Sequence, residues 1–223
     1  NGLGQVHYVT IDSNGKLIKD QIIETPSRPM VHDCAITKNY VLIFDLPVTF
    51  NLGRRDDDNN PIGGDYPVVW NDKHTSRVGL QNKKTDEIIW IEVNPGFLFH
   101  IVNSYEDDNG QVILDFCRYE RLFDFDNPLP MGQKPFLTRW ILDPKTKTCS
   151  EEMLDDRPME FSRVHPDFDG KQHRFGYLLN DGRLNNYFKH DFEKSETIAH
   201  DFGESCQAAE PVFIPRKNAK SED

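Results

Sequence analysis

Four polar residues recur along the chain at the start of predicted β-strands, and their side chains could hold or tune a metal ion. They are His32, His100, Glu160 and Glu210, separated by 68, 60 and 50 residues. Imidazole nitrogens are good ligands for iron, zinc and copper. A glutamate could bind the same metal directly, completing a facial triad, or could accept the second ring N–H of a ligating histidine. The spacing leaves both roles open.

Each of these residues follows a predicted β-hairpin and a short linker. Helical periodicity is nearly absent, and short apolar and aromatic runs alternate with turn clusters, so the sequence predicts an all-β fold. The predicted hairpins cover residues 6–24, 76–93, 138–154 and 185–202. In a β-propeller the inner strands of successive blades face one axis, so residues at equivalent positions would converge there. A β-sandwich is the alternative fold.

Composition narrows the class of protein. The 223 residues include 37 acidic and 26 basic side chains, a net charge of −11 that argues against binding the phosphates of nucleic acid. No stretch approaches the roughly 20 apolar residues of a membrane span, and residues 1–10 lack a signal-peptide pattern. The four cysteines form no CxxC pair and are expected to be reduced and buried. These features predict a soluble, cytoplasmic protein.

The other chemically interesting residues favour structural roles. His165 and His173 lie beside a DFDG turn and are expected to be solvated, whereas His32 and His100 each precede matching apolar segments. The acidic residues 56–65 lack the ligand spacing of a calcium loop and are expected to form an exposed loop. The nucleophile-elbow, dinucleotide-binding and phosphate-loop motifs are missing from the sequence.

Aromatic residues adjoin two of the four polar residues. Phe99 precedes His100, and Phe161 follows Glu160. Both rings could line an apolar pocket at the propeller axis, and ordinary core packing is the alternative.

Four motifs resemble the carotenoid cleavage oxygenases, a family of seven-bladed propellers that includes the retinoid isomerase of the retinal pigment epithelium and the lignostilbene dioxygenases. The motifs are MVHDCAITKNYVLIFDLP, FLFHIVNSYEDDNG, MEFSRVHPDFDG and EPVFIPR. They occur in order from about residue 28 to residue 216. The resemblance implies that residues 1–223 form about four blades of a single propeller domain, truncated at both ends.

The same resemblance implies a metal site. In the family, Fe(II) is held by four histidines without a directly bound carboxylate, and three glutamates orient three of these histidines. His32 and His100 resemble the second and third iron ligands, and Glu160 and Glu210 resemble two of the orienting glutamates. Phe99 and Phe161 stand where the family places substrate-channel aromatics. The first and fourth ligands and the third glutamate are expected outside residues 1–223.

The resemblance also implies an activity, the cleavage of a carbon–carbon double bond in a carotenoid or apocarotenoid to give two carbonyl products. The expected partners are an apolar polyene and O2, with no nucleic acid. Segments missing from this chain could contact a membrane peripherally, and the complete protein is expected to be a monomer. Cleavage of a stilbene at the same iron and a non-catalytic binding propeller are the alternatives. The 223-residue chain alone is expected to retain little iron and to be inactive.

Overall fold

The computed structural model describes residues 4–51, 66–124, 133–182, 184–219 and 222. Across these ranges regular structure is almost wholly β, with one 3-10 turn at Pro166–Phe168 and no α-helix. The all-β prediction is therefore confirmed. The acidic segment 56–65 lies outside the described residues. No helix in the described ranges is long and apolar enough to cross a membrane.

The described residues contain fifteen β-strands. In chain order they are β1 (Gln5–Ile11), β2 (Leu17–Glu24), β3 (Ala35–Ile36), β4 (Tyr40–Asp45), β5 (Val48–Phe50), β6 (Val68–Trp70), β7 (Arg77–Asn82), β8 (Ile88–Glu92), β9 (Phe97–Glu106), β10 (Val112–Tyr119), β11 (Phe136–Asp143), β12 (Thr148–Arg163), β13 (Phe175–Asn180), β14 (Asn186–Asp191) and β15 (Glu196–Asp201).

Every strand pairing is antiparallel. Strands β3, β4, β7 and β8 form a four-stranded sheet, β9 to β15 follow one another in a seven-stranded sheet, and β1–β2 and β5–β6 are separate pairs. The four predicted hairpins correspond to β1–β2, β7–β8, β11–β12 and β14–β15 and are confirmed.

Strand β12 belongs to two successive four-stranded units. Its first part pairs with β11 as far as Pro158, and its last part pairs with β13 from Met159 onward. Proline has no N–H to give to a ladder, which favours a change of partner at this position. The last residues of β12 are thereby the inner strand of the next unit, in the place that β3 and β9 occupy in theirs.

Apolar side chains fill the space between successive sheets. The largest core cluster includes Leu42, Leu80 and Ile91 of the four-stranded sheet together with Phe116 and Trp140 of the seven-stranded sheet. A second cluster packs β9 to β12 against β13 and β14. This packing holds the inner strands side by side, which brings the residues at their ends together.

The β-strand that was predicted to begin after Glu210, over residues 211–216, is not formed. Pro211 and Pro215 lack N–H donors, and no strand of the described residues pairs with this segment. The side chains of Val212 and Ile214 are exposed, while Phe213 stacks near His165 with ring centroids 4.6 Å apart. The segment is therefore attached by a side chain instead of a ladder.

Candidate metal centre

Three of the four predicted site residues lie together. The ring centroids of His32 and His100 are 5.1 Å apart, and Nδ1 of His100 lies 2.5 Å from Oε2 of Glu160. The expected contact between a glutamate and a histidine ring nitrogen is thus present. The three residues come from the inner parts of three successive units, as the repeat predicts.

The prediction that each residue opens its strand is wrong in detail. His32 lies three residues before β3, His100 is inside β9, and Glu160 is near the end of the 16-residue β12. Strand β9 already begins at Phe97, which pairs with Tyr119. Strand β12 continues without a break through the residues before Glu160, where the sequence predicted a linker. The sequence pattern identified residues that lie close together, but it did not predict where their strands begin.

The backbone is irregular around His100. Strand β9 advances five residues between Leu98 and Asn103, whereas the paired part of β10 advances three. The two extra residues are β-bulges, which change the direction of nearby side chains and are common beside functional sites. His100 lies within the first of them, between Leu98 and Ile101, and is thereby released from the regular alternation of the strand.

A second irregularity adjoins Glu160. Strand β12 advances three residues between Glu160 and Arg163, while β13 advances two. Phe161 occupies the left-handed region with φ of 52°, a conformation that costs a non-glycine residue about 1–2 kcal/mol. In this conformation its N–H donates to Oε2 of Glu160 at 2.7 Å. The bulge thus holds the carboxylate beside His100.

Hydrogen bonds fix the tautomer of both imidazoles. Nδ1 of His32 lies 2.9 Å from the carbonyl oxygen of Phe99, and a carbonyl only accepts, so this Nδ1 carries the hydrogen. Nδ1 of His100 likewise donates to the carboxylate of Glu160. In both neutral rings the lone pair is then on Nε2, and neither Nε2 has a hydrogen-bond partner within the described residues. This donor set fits a metal that prefers imidazole.

Glu160 is a buried carboxylate with little compensation. Its side chain is 3% exposed, and in the described part of the chain it accepts hydrogen bonds from Nδ1 of His100 and from the N–H of Phe161, with no lysine or arginine paired to it. Burial, reinforced by the charge of Glu160, raises the pKa of the Tyr119 phenol and the Cys117 thiol, so both neighbours stay neutral. A buried anion is costly without a balancing charge. A cation at Nε2 of His100 would supply that balance.

Two imidazoles do not complete a metal site. Across residues 4–51, 66–124, 133–182, 184–219 and 222, no group of three or more histidine, cysteine, aspartate or glutamate side chains could hold a metal. Glu160 reaches His100 through Nδ1 and therefore stands behind the ring. Any further ligands would come from outside the described residues.

Glu210 lies apart from the other three. It is exposed, and its carboxylate pairs with the guanidinium of Arg163. The structure thus gives Glu210 an arginine partner, and its proposed role as an orienting glutamate stays a prediction.

Aromatic side chains form one wall beside the imidazoles. The Phe99 ring meets His32 edge-on at 5.1 Å, and the Phe161 ring lies 4.8 Å from His100. Phe99 also contacts Tyr119 and Phe123, with ring centroids 5.5 and 6.2 Å away. The wall is apolar and lies close to the rings of both His32 and His100. Its use as a substrate channel stays a prediction.

Two expectations about other residues are wrong. His165 and His173 are buried, 9% and 5% exposed, because the turn after β12 folds back over β9. The cysteines are free, and Cys117 is buried as expected, but Cys34 and Cys206 are exposed.

Sequence reasoning missed Asp33. Its Oδ2 accepts the backbone N–H of Ile101 at 3.1 Å, directly beyond His100. Its position next to His32 was the available signal, since a carboxylate adjoining a candidate ligand can hold neighbouring backbone in place.

The family model described as "Retinal pigment epithelial membrane protein" matches residues 2–223. The chain belongs to this family. Two curated proteins are each 29% identical to it: the carotenoid cleavage oxygenase of Mycobacterium tuberculosis over 98% of this chain, and the apocarotenoid-15,15'-oxygenase of Synechocystis sp. over 96%. The chain covers 54% and 46% of these relatives, about half of their length.

A solved structure supports the fold of this family member. The crystal structure of cobalt-substituted Synechocystis ACO matches 98% of this chain with a TM-score of 0.83 and 27% identity, and the match covers 48% of that protein. The fold is an all-β propeller fold, as predicted. The number of blades and the division into domains stay predictions.

Proposed function

We propose that this chain supplies two imidazole ligands to the iron(II) centre of a dioxygenase that cleaves a carbon–carbon double bond in a carotenoid or apocarotenoid. The observation that carries the proposal is the pair His32 and His100, each holding its Nδ1–H in a hydrogen bond and its Nε2 free among the described residues. Relatives named as carotenoid and apocarotenoid cleavage oxygenases support the same reaction class.

Each residue of the site would have a distinct task. His32 and His100 donate their Nε2 lone pairs, and Glu160 fixes the His100 ring and raises its basicity through Nδ1. Bound iron would supply the redox chemistry that lets dioxygen react with a double bond. Phe99 and Phe161 offer an apolar wall that excludes water and holds an extended polyene close to the imidazoles.

The arrangement favours an all-imidazole site over a facial triad. Oε2 of Glu160 accepts from Nδ1 of His100 and from the N–H of Phe161, so it lies on the Nδ1 side of the His100 ring and not at its Nε2. The resemblance places two more histidines outside this chain. The 223 residues alone would therefore retain little iron and cleave no polyene.

The experiment compares iron content and polyene cleavage in the full-length protein that contains this chain. An apocarotenoid and a hydroxylated stilbene are supplied separately, and loss of their absorbance is followed with His32→Ala, His100→Ala and His200→Ala. His200 is exposed and serves as the matched control. We expect the first two variants to lose iron and cleavage and the control to keep both.

Each outcome decides between the alternatives. Unchanged iron and cleavage in both His32→Ala and His100→Ala would contradict the proposed ligands. Consumption of the stilbene alone would identify the runner-up substrate class. A full-length protein that contains no iron and cleaves neither compound would be a binding propeller.

A further inference from the structure

The two sheets that carry His32 and His100 are not joined by a β-ladder. Strands β3 and β9 belong to different sheets, and side-chain hydrogen bonds connect them. Ser104 Oγ donates to the carbonyl of Ile36 at 2.8 Å, and Glu106 Oε1 accepts from Thr37 Oγ1 at 2.6 Å. Individual side chains, and not a ladder, therefore link these two strands.

The connection nearest to the imidazoles is made by consecutive residues. His32 donates through Nδ1 to the carbonyl of Phe99, and Asp33 accepts the N–H of Ile101. These two backbone groups lie on either side of His100. The other carboxylate oxygen of Asp33 accepts the N–H of Cys34 at 2.8 Å, which holds the carboxylate against its own backbone.

The bulges in β9 make this connection important. Between Leu98 and Asn103 the strand has two residues more than its partner β10, so regular pairing does not by itself fix the backbone at His100. The bond from Ile101 N–H to Asp33 adds a fixed point directly after the bulged histidine.

We propose that Asp33 is a positioning residue that sets the separation and orientation of the His32 and His100 imidazoles. The inference rests on the proposed function, in which the two imidazoles bind one metal ion. Asp33 touches neither Nε2 and acts through the backbone of Ile101. Residues that orient ligands in this way typically change metal affinity by about 10–100-fold when they are removed.

The test is a titration of the metal-free full-length protein with Co2+, followed by visible absorption. Asp33→Ala removes both acceptor oxygens, whereas Asp33→Asn keeps one that can still accept from Ile101. Ser104→Ala is the matched control, because it removes one hydrogen bond between the same two strands without touching the neighbours of His100. We expect affinity to fall about 10–100-fold in Asp33→Ala, to fall less in Asp33→Asn, and to change less than about twofold in Ser104→Ala.

Hydrogen exchange of the Ile101 amide measures the bond itself without metal. We expect faster exchange at Ile101 in Asp33→Ala and partial protection in Asp33→Asn. Faster exchange with unchanged Co2+ affinity and spectrum overturns the inference, since Asp33 would then only stabilise the fold. Unchanged exchange overturns it as well. Should Asp33→Ala fail to fold, Asp33→Asn decides by the same two measurements.

Failure of the proposed function is distinguishable. Co2+ binding that is unaffected by His32→Ala and His100→Ala would reject the metal site and the positioning role together. Loss of binding in these two variants without any loss in the Asp33 variants would reject the positioning role alone.

Discussion

Two histidine environments adjoin strand β9, and their rings present opposite nitrogens. The first contains His32 and His100. The second, called the His173 group, contains His173 with Asn103, Asp115 and Arg139. His100 donates from Nδ1 to Glu160 and keeps the lone pair on Nε2. Nδ1 of His173 lies 3.2 Å from the amide nitrogen of Asn103, which is a donor, and Nε2 faces a carboxylate oxygen of Asp115 at 3.6 Å, so the hydrogen of this neutral ring is on Nε2. The Asn103 amide is oriented by the N–H of Gly170, which donates to its Oδ1. The same side chain is thus a potential ligand in one group and not in the other.

The two groups also differ in charge balance. Asp115 is fully buried beside His173 and receives two hydrogen bonds from the guanidinium of Arg139, at 2.7 and 2.9 Å. Burial, together with the positive charge of Arg139, lowers the pKa of His173 to about 3, so the ring is neutral. The His173 group is therefore balanced without a metal, whereas no arginine or lysine of the described residues pairs with the carboxylate of Glu160, which accepts from an imidazole and a backbone N–H. The contrast indicates that the environment, more than the residue type, separates a structural histidine from a ligand.

The largest expected effect is on the stability of the His173 group. Arg139→Met leaves the carboxylate of Asp115 buried and unpaired, so we expect a loss of about 3–5 kcal/mol in the free energy of unfolding. Urea denaturation measures the change. Co2+ affinity of the folded variant should match that of the parent. A loss below about 1 kcal/mol would show that Asp115 is neutral or solvated.

The next effect concerns Glu160. Glu160→Gln keeps the shape of the side chain but removes the charge behind His100, so we expect about 10–100-fold weaker metal binding. Isothermal titration with Co2+ measures the affinity of the full-length protein, and Glu204→Gln, an exposed site, is the control. Equal affinities in all three proteins would mean that Glu160 does not tune a ligand.

Lowering the pH should destabilise the protein through His173. The folded pKa of about 3 lies below the ordinary 6.5, so the unfolded chain binds the proton first and stability falls as pH drops through this window. From pH 7 to pH 5 the expected loss from His173 is about 2 kcal/mol. The parent should lose about this much more than His173→Gln in urea denaturation at the two pH values. Equal losses of stability in both proteins would show that a group other than His173 takes up the proton.

The smallest effect is at the bulge beside Glu160. Phe161 has φ of 52°, which glycine tolerates and alanine does not. Both Phe161→Gly and Phe161→Ala lose the ring that packs near His100, so their difference reports the backbone alone. We expect the glycine variant to be more stable by about 1 kcal/mol in thermal or urea unfolding. An alanine variant of equal stability would indicate that the backbone relaxes out of the left-handed region.

Local sequence patterns predicted the hairpins because turns and alternating strands depend on neighbouring residues. The Asn14-Gly15 turn between β1 and β2 is an example, with Gly15 at a φ of 80° that a hairpin turn requires. The same patterns predicted a strand at residues 211–216, where three apolar residues follow one another but no described strand pairs with them. Pairing is a tertiary property, and composition does not report it.

The sequence by itself determined the all-β class and indicated that His32, His100 and Glu160 would meet, since equivalent positions in a repeat converge when its units pack side by side. The same argument placed Glu210 with them, whereas the structure pairs Glu210 with Arg163. Only the tertiary structure decided which ring nitrogen each histidine leaves free, that the glutamate stands behind His100, and that Asp33 holds the backbone beside it. These features depend on bulges and on contacts between residues 60 or more positions apart, where a displacement of one residue reverses the direction of a side chain.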